Sequence, residues 1–294
     1  MTSLDVAERP LEIANADSVG NPASANAPRR QRVDVSLVLA VVVLVIVLLW
    51  AIVPLLFTSY DPIKGLPGQQ LKAPSLTHIL GTDALGRDLF ARLVHGSVHS
   101  LSGALAAVAI GLALGTTLGV LAGSLGGRTE TVIMRLVDVL LSIPVLLLSL
   151  SIIILLGFGT LNAAIAVGIT SVASFARIVR SEVVTVRRSE YVEAAFGSGG
   201  RFLSVLWRHI LPNSLTSVIA FAALQVGSAI LQLSTLGFLG YGAPPPTPEW
   251  GLLIAEGRNY IATAWWLTAA PGVVVVLVVL CVNRISQAIG GGDR

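Results

Sequence analysis

Ser189 to Asn213 reads SEYVEAAFGSGGRFLSVLWRHILPN, and the reading of the whole chain turns on it. It is the longest polar interruption in the second half of a chain otherwise built from membrane-length apolar segments. Tyr191 to Phe196 can form a short helix, and Gly197, Gly199 and Gly200 stop it, since each glycine costs about 1 kcal/mol inside a helix. Arg201 to His209 predicts a second short helix. Phe202, Val205, Leu206 and His209 fall at i, i+3, i+4 and i+7 on one face of it, with Arg201, Ser204 and Arg208 off that face. Pro212 suits the first turn of the helix that follows, where its missing N–H is no loss. An apolar stripe in a polar loop needs a covering surface, either a partner protein or the chain's own helices and the lipid headgroups.

Working outward, the chain has 294 residues, of which 54% are hydrophobic and only 12% charged, with a mean hydropathy of +0.83. That excludes an ordinary water-soluble domain. Several apolar runs exceed the roughly 18 to 20 residues that cross a bilayer as helix. They are uniformly apolar rather than alternating, which excludes barrel strands. The net charge of +3 is read as basic cytoplasmic loops, not as a nucleic-acid surface. The one cysteine, Cys281, lies in an apolar run and supports no disulfide framework. The only lysines, Lys64 and Lys72, sit in no glycine-rich phosphate loop, so any ATP used here is hydrolysed by another polypeptide.

The expected class is an all-α polytopic membrane protein with six transmembrane helices. Residues 1–32 read as a disordered tail, 33–289 as the membrane domain and 290–294 as a C-terminal tail. Helices are expected at about Ser36–Phe57, His99–Ala122, Thr131–Leu156, Asn162–Val179, Asn213–Leu236 and Ile261–Val282. Between them lie an external segment at 58–95, a cytoplasmic loop at 183–212 and an external loop at 237–260. Arginines set the sidedness: Arg29, Arg30, Arg32, Arg128, Arg135, Arg177, Arg180, Arg187, Arg188, Arg201, Arg208, Arg284 and Arg294 flank one side. Both termini are therefore expected in the cytoplasm of a multi-pass protein of the cell (inner or plasma) membrane. In the second helix Gly103, Ala107, Gly111, Gly115, Gly119 and Gly123 recur every fourth residue, a face that another helix can approach closely. Pro144 is expected to bend the third helix.

The spacing Glu193-Ala194-Ala195, then Gly199, then His209-Ile210-Leu211-Pro212 resembles the conserved loop of ABC-importer permeases. Two further stretches, GTDALGRD at Gly81 to Asp88 and FLGYGAPPPTPEWG at Phe238 to Gly251 with Glu256-Gly257-Arg258, are similar to the C-type permease of dipeptide, oligopeptide and nickel importers. The resemblance covers about Arg30 to Ile289. It implies a type I importer fold whose loop is a coupling helix docked on an ATP-binding subunit. Glu193, Ala194, Ala195, Gly199, Leu211 and Pro212 carry the motif, Phe202, Val205 and Leu206 form the contact face, and Glu193 holds the loop's shape. Gly81, Thr82, Asp83, Gly86, Arg87, Asp88, Pro246, Glu249 and Trp250 are the matching external residues. The implied partners are a homologous second permease, two ATP-binding subunits that carry ATP and Mg, an extracytoplasmic substrate-binding protein and membrane lipid, with no nucleic acid and no cofactor on this chain. The implied cargo is di- or oligopeptides, with nickel, glutathione, heme or another small molecule as alternatives.

Ionisable groups within a bilayer mark function or structural pairing, which singles out Asp138, with Arg135 at i−3 as a candidate partner. Gln225, Ser228 and Gln232 form a polar stripe at i, i+3 and i+7, expected to line a translocation path or a subunit interface. A stand-alone secondary transporter would want more midplane charge and inverted repeats. His95 and His99 have metal-pair spacing, but no cysteine completes a set, so they read as an interfacial pair with no metal. No nucleophile–base constellation is visible, and catalysis by this chain is not expected.

Overall fold

Eighteen residues, apolar but for Ser36, make α1, Val35–Ile52, and Pro54 opens a single 3-10 turn that ends it. The computed structural model describes residues 34–290, so the expected N-terminal tail and the last four residues lie outside it. The regular structure of the described residues is helical, with long non-helical segments at 57–88 and 239–249 and only an isolated bridge between Thr82 and Asp88. Among the described residues five helices are long and apolar enough to cross a membrane, and a sharply bent pair supplies a sixth span if counted as one.

Helix α2, Leu89–Leu125, is 37 residues long and begins ten residues earlier than the hydropathy suggested, well inside the segment read as external. The reason is local: Asp88 caps the helix, its Oδ1 accepting the Ala91 N–H at 2.7 Å. The polar first turns are then enclosed by other parts of the chain, with Arg92 wholly buried. At roughly 1.5 Å per residue α2 is about 55 Å long, well beyond the hydrocarbon thickness of about 30 Å.

The expected third helix is corrected. It breaks into α3, Gly127–Ser142, and α4, Val145–Leu156, whose axes differ by 95°. A proline excludes helical geometry from the residue before it, and Ile143 is extended (φ −88°, ψ 131°). Pro144 itself has ψ 126°, so two consecutive residues leave the helical region and the chain turns rather than kinks.

Helix α5, Thr160–Arg187, is the most enclosed span and packs along α2. The glycine face of α2 is what admits it. A β-carbon added at Gly119 would stand 2.6 Å from Val179 Cβ, and one at Gly123 would stand 2.8 Å from Val183 Cγ1. At Gly115 and Gly111 the overlap with Phe175 and Ser171 would be worse still.

After the short α6, Glu190–Gly197, comes a second correction. The expected separate helix at Arg201–His209 is continuous with the next span: α7, Phe202–Val205, passes through a five-residue π turn, Leu206–Ile210, into α8, Leu211–Phe238. Pro212 has no N–H to give, and the wider turn absorbs this by letting the Leu211 N–H reach Leu206 O. Helix α9, Trp250–Gly257, is short, and α10, Trp266–Gly290, closes the bundle, with Arg284 Nε donating to Ser36 Oγ on α1 at 2.8 Å.

Candidate functional site

The two ends of α2 carry two different sites. Near its Gly126 end, α6 hangs below α5, and a 380 Å³ cavity is lined by Glu130, Arg180, Arg187, Arg188 and Glu193. Arg180 pairs with Glu130, and Arg187 Nη1 donates to Ser124 O at 2.9 Å, so basic groups from the end of α5 surround the mouth. Glu193 lines this cavity beside them, on the side of α6 that looks back toward its own bundle. Ala194 is exposed, and Ala195 O accepts the Gly200 N–H at 3.1 Å, closing the loop. Gly199 has φ +87°, a conformation that strains any residue with a β-carbon. At Gly200 the limit is space instead, because a β-carbon would lie 2.6 Å from Ala195 O.

The contact face read from the sequence is partly wrong. Val205 and Leu206 are buried in the chain's own core, so they cannot meet a partner, and only Phe202 of that trio remains exposed. Leu203 (65% exposed) and Trp207 (68%) face outward instead, and Tyr191 on α6 is exposed as well. A tryptophan in an otherwise polar loop was the sequence signal for this face. Leu211 is half-buried next to Trp207, and Pro212 is exposed.

At the Asp88 end the two motif stretches come together. Asp83 Oδ1 accepts the backbone N–H groups of Leu85 and Arg87 at 2.8 and 2.9 Å, shaping a turn in which Gly81 and Gly86 both have positive φ. The Thr82 hydroxyl, fully buried, accepts the Lys72 N–H at 2.9 Å and donates to Gln69 O. Arg87 Nε pairs with Asp83 Oδ2 at 2.6 Å and Arg92 Nη1 with the same oxygen at 2.9 Å. Both guanidiniums also reach Glu256 on α9, Arg87 at 3.3 Å. His78 Nδ1 meets Asp88 Oδ2 at 2.8 Å. Trp250, with no exposed surface, donates from its indole to Leu93 O and from its backbone to Ser100 Oγ, both at 3.1 Å.

Glu249 is buried and accepts the Ala243 N–H at 2.6 Å. Burial pushes its carboxyl above the ordinary range, and that single hydrogen bond opposes the shift. Pro246 follows a cis peptide bond in the same loop. Neither Arg92 nor Glu256 stood out as a pair in the sequence, since 164 residues separate them.

The intramembrane candidates separate. Asp138 pairs with Arg177 on α5 and not with Arg135, because α3 lies against α5 and turns that carboxylate across the gap. Gln225, Ser228 and Gln232 are half-buried along α8, and Gln232 Oε1 is enclosed without a donor. His95 Nδ1 lies 2.9 Å from Ala91 O, and among the described residues no group of three His, Cys, Asp or Glu could hold a metal.

With this geometry in hand, comparison with known proteins adds the following. The family described as binding-protein-dependent transport system inner membrane component matches residues 115–291. The probable D,D-dipeptide transport system permease protein DdpC of Escherichia coli is 41% identical over 254 residues, spanning 86% of this chain and 85% of that one. The dipeptide transport system permease protein DppC of Alkalihalophilus pseudofirmus is also 41% identical, over 85% and 84% of the two chains. The glutathione transport system permease protein GsiD of Shigella flexneri is 37% identical over 89% and 86%. An inward-facing structure of the MetNI methionine ABC transporter superposes with a TM-score of 0.56 at 18% identity, over 67% of this chain and 96% of that one, which is a likeness of fold.

Proposed function

Since the chain belongs to the family of binding-protein-dependent transport system inner membrane components, we propose that it forms half of a translocation path for di- or oligopeptides. It is a multi-pass permease subunit of an ABC importer in the inner membrane and not an enzyme; ATP hydrolysis falls to separate subunits. The observation that carries the peptide reading is the 41% identity to two dipeptide-system permeases, over at least 84% of every chain compared.

In this reading a homologous second permease completes the path, two ATP-binding subunits carry ATP and Mg, and a substrate-binding protein delivers cargo on the extracytoplasmic side. The Gly126 end of α2 faces the cytoplasm, as do both termini. The ATP-binding subunit receives the exposed apolar face of α6 and α7, where Leu203, Trp207, Tyr191 and Phe202 offer the contact and Glu193 and Gly199 hold its shape. Leu211 and Pro212 set where that face meets α8. Closure of the ATP-binding pair on nucleotide pushes this face and rocks the permeases between inward- and outward-open states. Gln225, Ser228 and Gln232 line the path, offering amide and hydroxyl partners to a peptide backbone, while Asp138 keeps α3 on α5 through Arg177.

Uptake by the assembled transporter tests the proposal. Glu193→Lys and Gly199→Asp are expected to abolish uptake of labelled dipeptide while the subunit still inserts and assembles. Normal uptake in both would remove the coupling role. Uptake of glutathione in place of dipeptide would keep the importer and replace the cargo.

A further inference from the structure

The Asp88 end of α2 contains more fastening than a docking surface needs, and its arrangement has a mechanical meaning. We propose that Arg92 is a positioning residue that ties both segments at this end, 58–88 and the α9 loop, to α2. They then travel with the α2–α5 pair when the transporter changes state. The inference rests on the importer reading for its two states, but its geometry stands on the fold alone.

Three observations carry it. First, α2 is unbroken from Leu89 to Leu125, with no proline, while its neighbours are interrupted: α3 and α4 by the 95° turn, α7 and α8 by the π turn. Second, the seam between α2 and α5 has no slack, because at four successive glycines a single added carbon would overlap α5. Sliding or tilting one helix on the other is therefore strongly opposed. Third, Arg92 has no exposed surface, and its guanidinium joins Asp83 from one segment to Glu256 from the other. Moving either segment away from α2 would strand a buried charge, which is far costlier than losing an exposed contact. Trp250 fastens α9 a second time, at Leu93 beside Arg92 in sequence and again at Ser100, about two turns further along α2. A push on α5 where it enters α6 is thus delivered along a rod about 55 Å long to the opposite face. The turn at Ile143–Pro144 and the π turn are left as the places that yield.

The test uses the complete transporter, with its ATP-binding and binding-protein partners, in lipid nanodiscs. Cys281→Ser removes the one native thiol. Spin labels then go on the exposed positions Leu85→Cys and Thr185→Cys, and on Leu155→Cys with Thr185→Cys as the comparison. Between nucleotide-free and ATP-trapped states, the 85–185 distance is expected to stay constant and the 155–185 distance to shift. A state-dependent shift in 85–185 overturns the rigid rod. In Arg92→Met and Glu256→Gln, the 85–185 distribution should broaden and stimulation of ATPase by loaded binding protein should fall about tenfold, with basal ATPase retained. Unchanged distributions in both variants overturn the role of Arg92. If the parent's ATPase answers to no binding protein, the importer reading fails, while the distance measurement still decides the rod.

Discussion

The two ends of α2 differ in how they hold charged groups. At the Asp88 end, Asp83, Arg87, Asp88 and Arg92 are all buried and all paired, and a tryptophan is sealed beneath them. At the Gly126 end, Glu193 is exposed, and so are the large apolar side chains Leu203 and Trp207. A buried charge is tolerated only with a partner, and each of these four has one, although Arg92 Nε itself meets no acceptor. Large apolar side chains are exposed at both ends, Leu76 and Leu85 at the first and Leu203 and Trp207 at the second, and on polar loops such surface calls for a covering partner. In the proposed reading one end is built to stay together and the other to be pushed.

Four changes would break or sharpen that contrast, taken from the largest expected effect to the smallest. Arg92→Leu leaves the buried Asp83 and the half-buried Glu256 with fewer cations, at a cost of about 3 kcal/mol, read as a lower thermal midpoint of the purified subunit. Trp207→Ala at the open end should leave that midpoint unmoved and weaken binding of the ATP-binding subunit by about 2 kcal/mol, roughly thirtyfold. Val205→Ala, two residues away but inward, should do the reverse: a loss of about 1–2 kcal/mol in stability with binding retained. If Trp207→Ala unfolds the subunit and Val205→Ala only uncouples it, the assignment of faces is inverted. Glutamate pairing gives the smallest expected effect. The Glu130–Arg180 pair is partly open to solvent, and a double-mutant cycle should return a coupling of about 1 kcal/mol or less.

Acidity acts on the buried Glu249. Because burial raises the Glu249 carboxyl, the folded chain holds that proton more tightly than the unfolded one. Its contribution to stability is full at low pH and is lost as pH rises through the raised value. Melting curves of the parent should therefore gain on acidification from neutral, and Glu249→Gln should be more stable than the parent at neutral pH with a flatter profile. A steeper profile in the variant would contradict the buried-carboxylate reading.

Much of this could be read along the chain, and the reasons differ from residue to residue. The repeat of glycine from Gly103 to Gly123 is a property of one helix face, visible without knowing what packs there; α5 then occupies it. The class of membrane protein followed from apolar runs, which need no partner to be recognised. The contact face of the loop was misplaced because helical periodicity reports that Phe202, Val205 and Leu206 share a side, but not which side is turned to the bundle. Packing decides it, because Val205 and Leu206 join the core formed with side chains from other helices. Likewise, hydropathy placed the start of α2 too late, since Asp88, Arg87 and Arg92 look like loop residues until their partners are known.

By itself the sequence determined what each local segment must do: span, cap, turn or stay in water, and do without a phosphate loop of its own. Those outcomes depend on propensity, hydropathy and backbone geometry within a few residues. The tertiary structure alone decided the pairings. Asp138 finds Arg177 rather than the nearer Arg135, Arg92 finds Glu256 across 164 residues, and Trp207 rather than Val205 is left exposed. Each depends on the path of the chain through space, because an ion pair or a buried face is fixed by where distant helices are packed and not by spacing along any one of them.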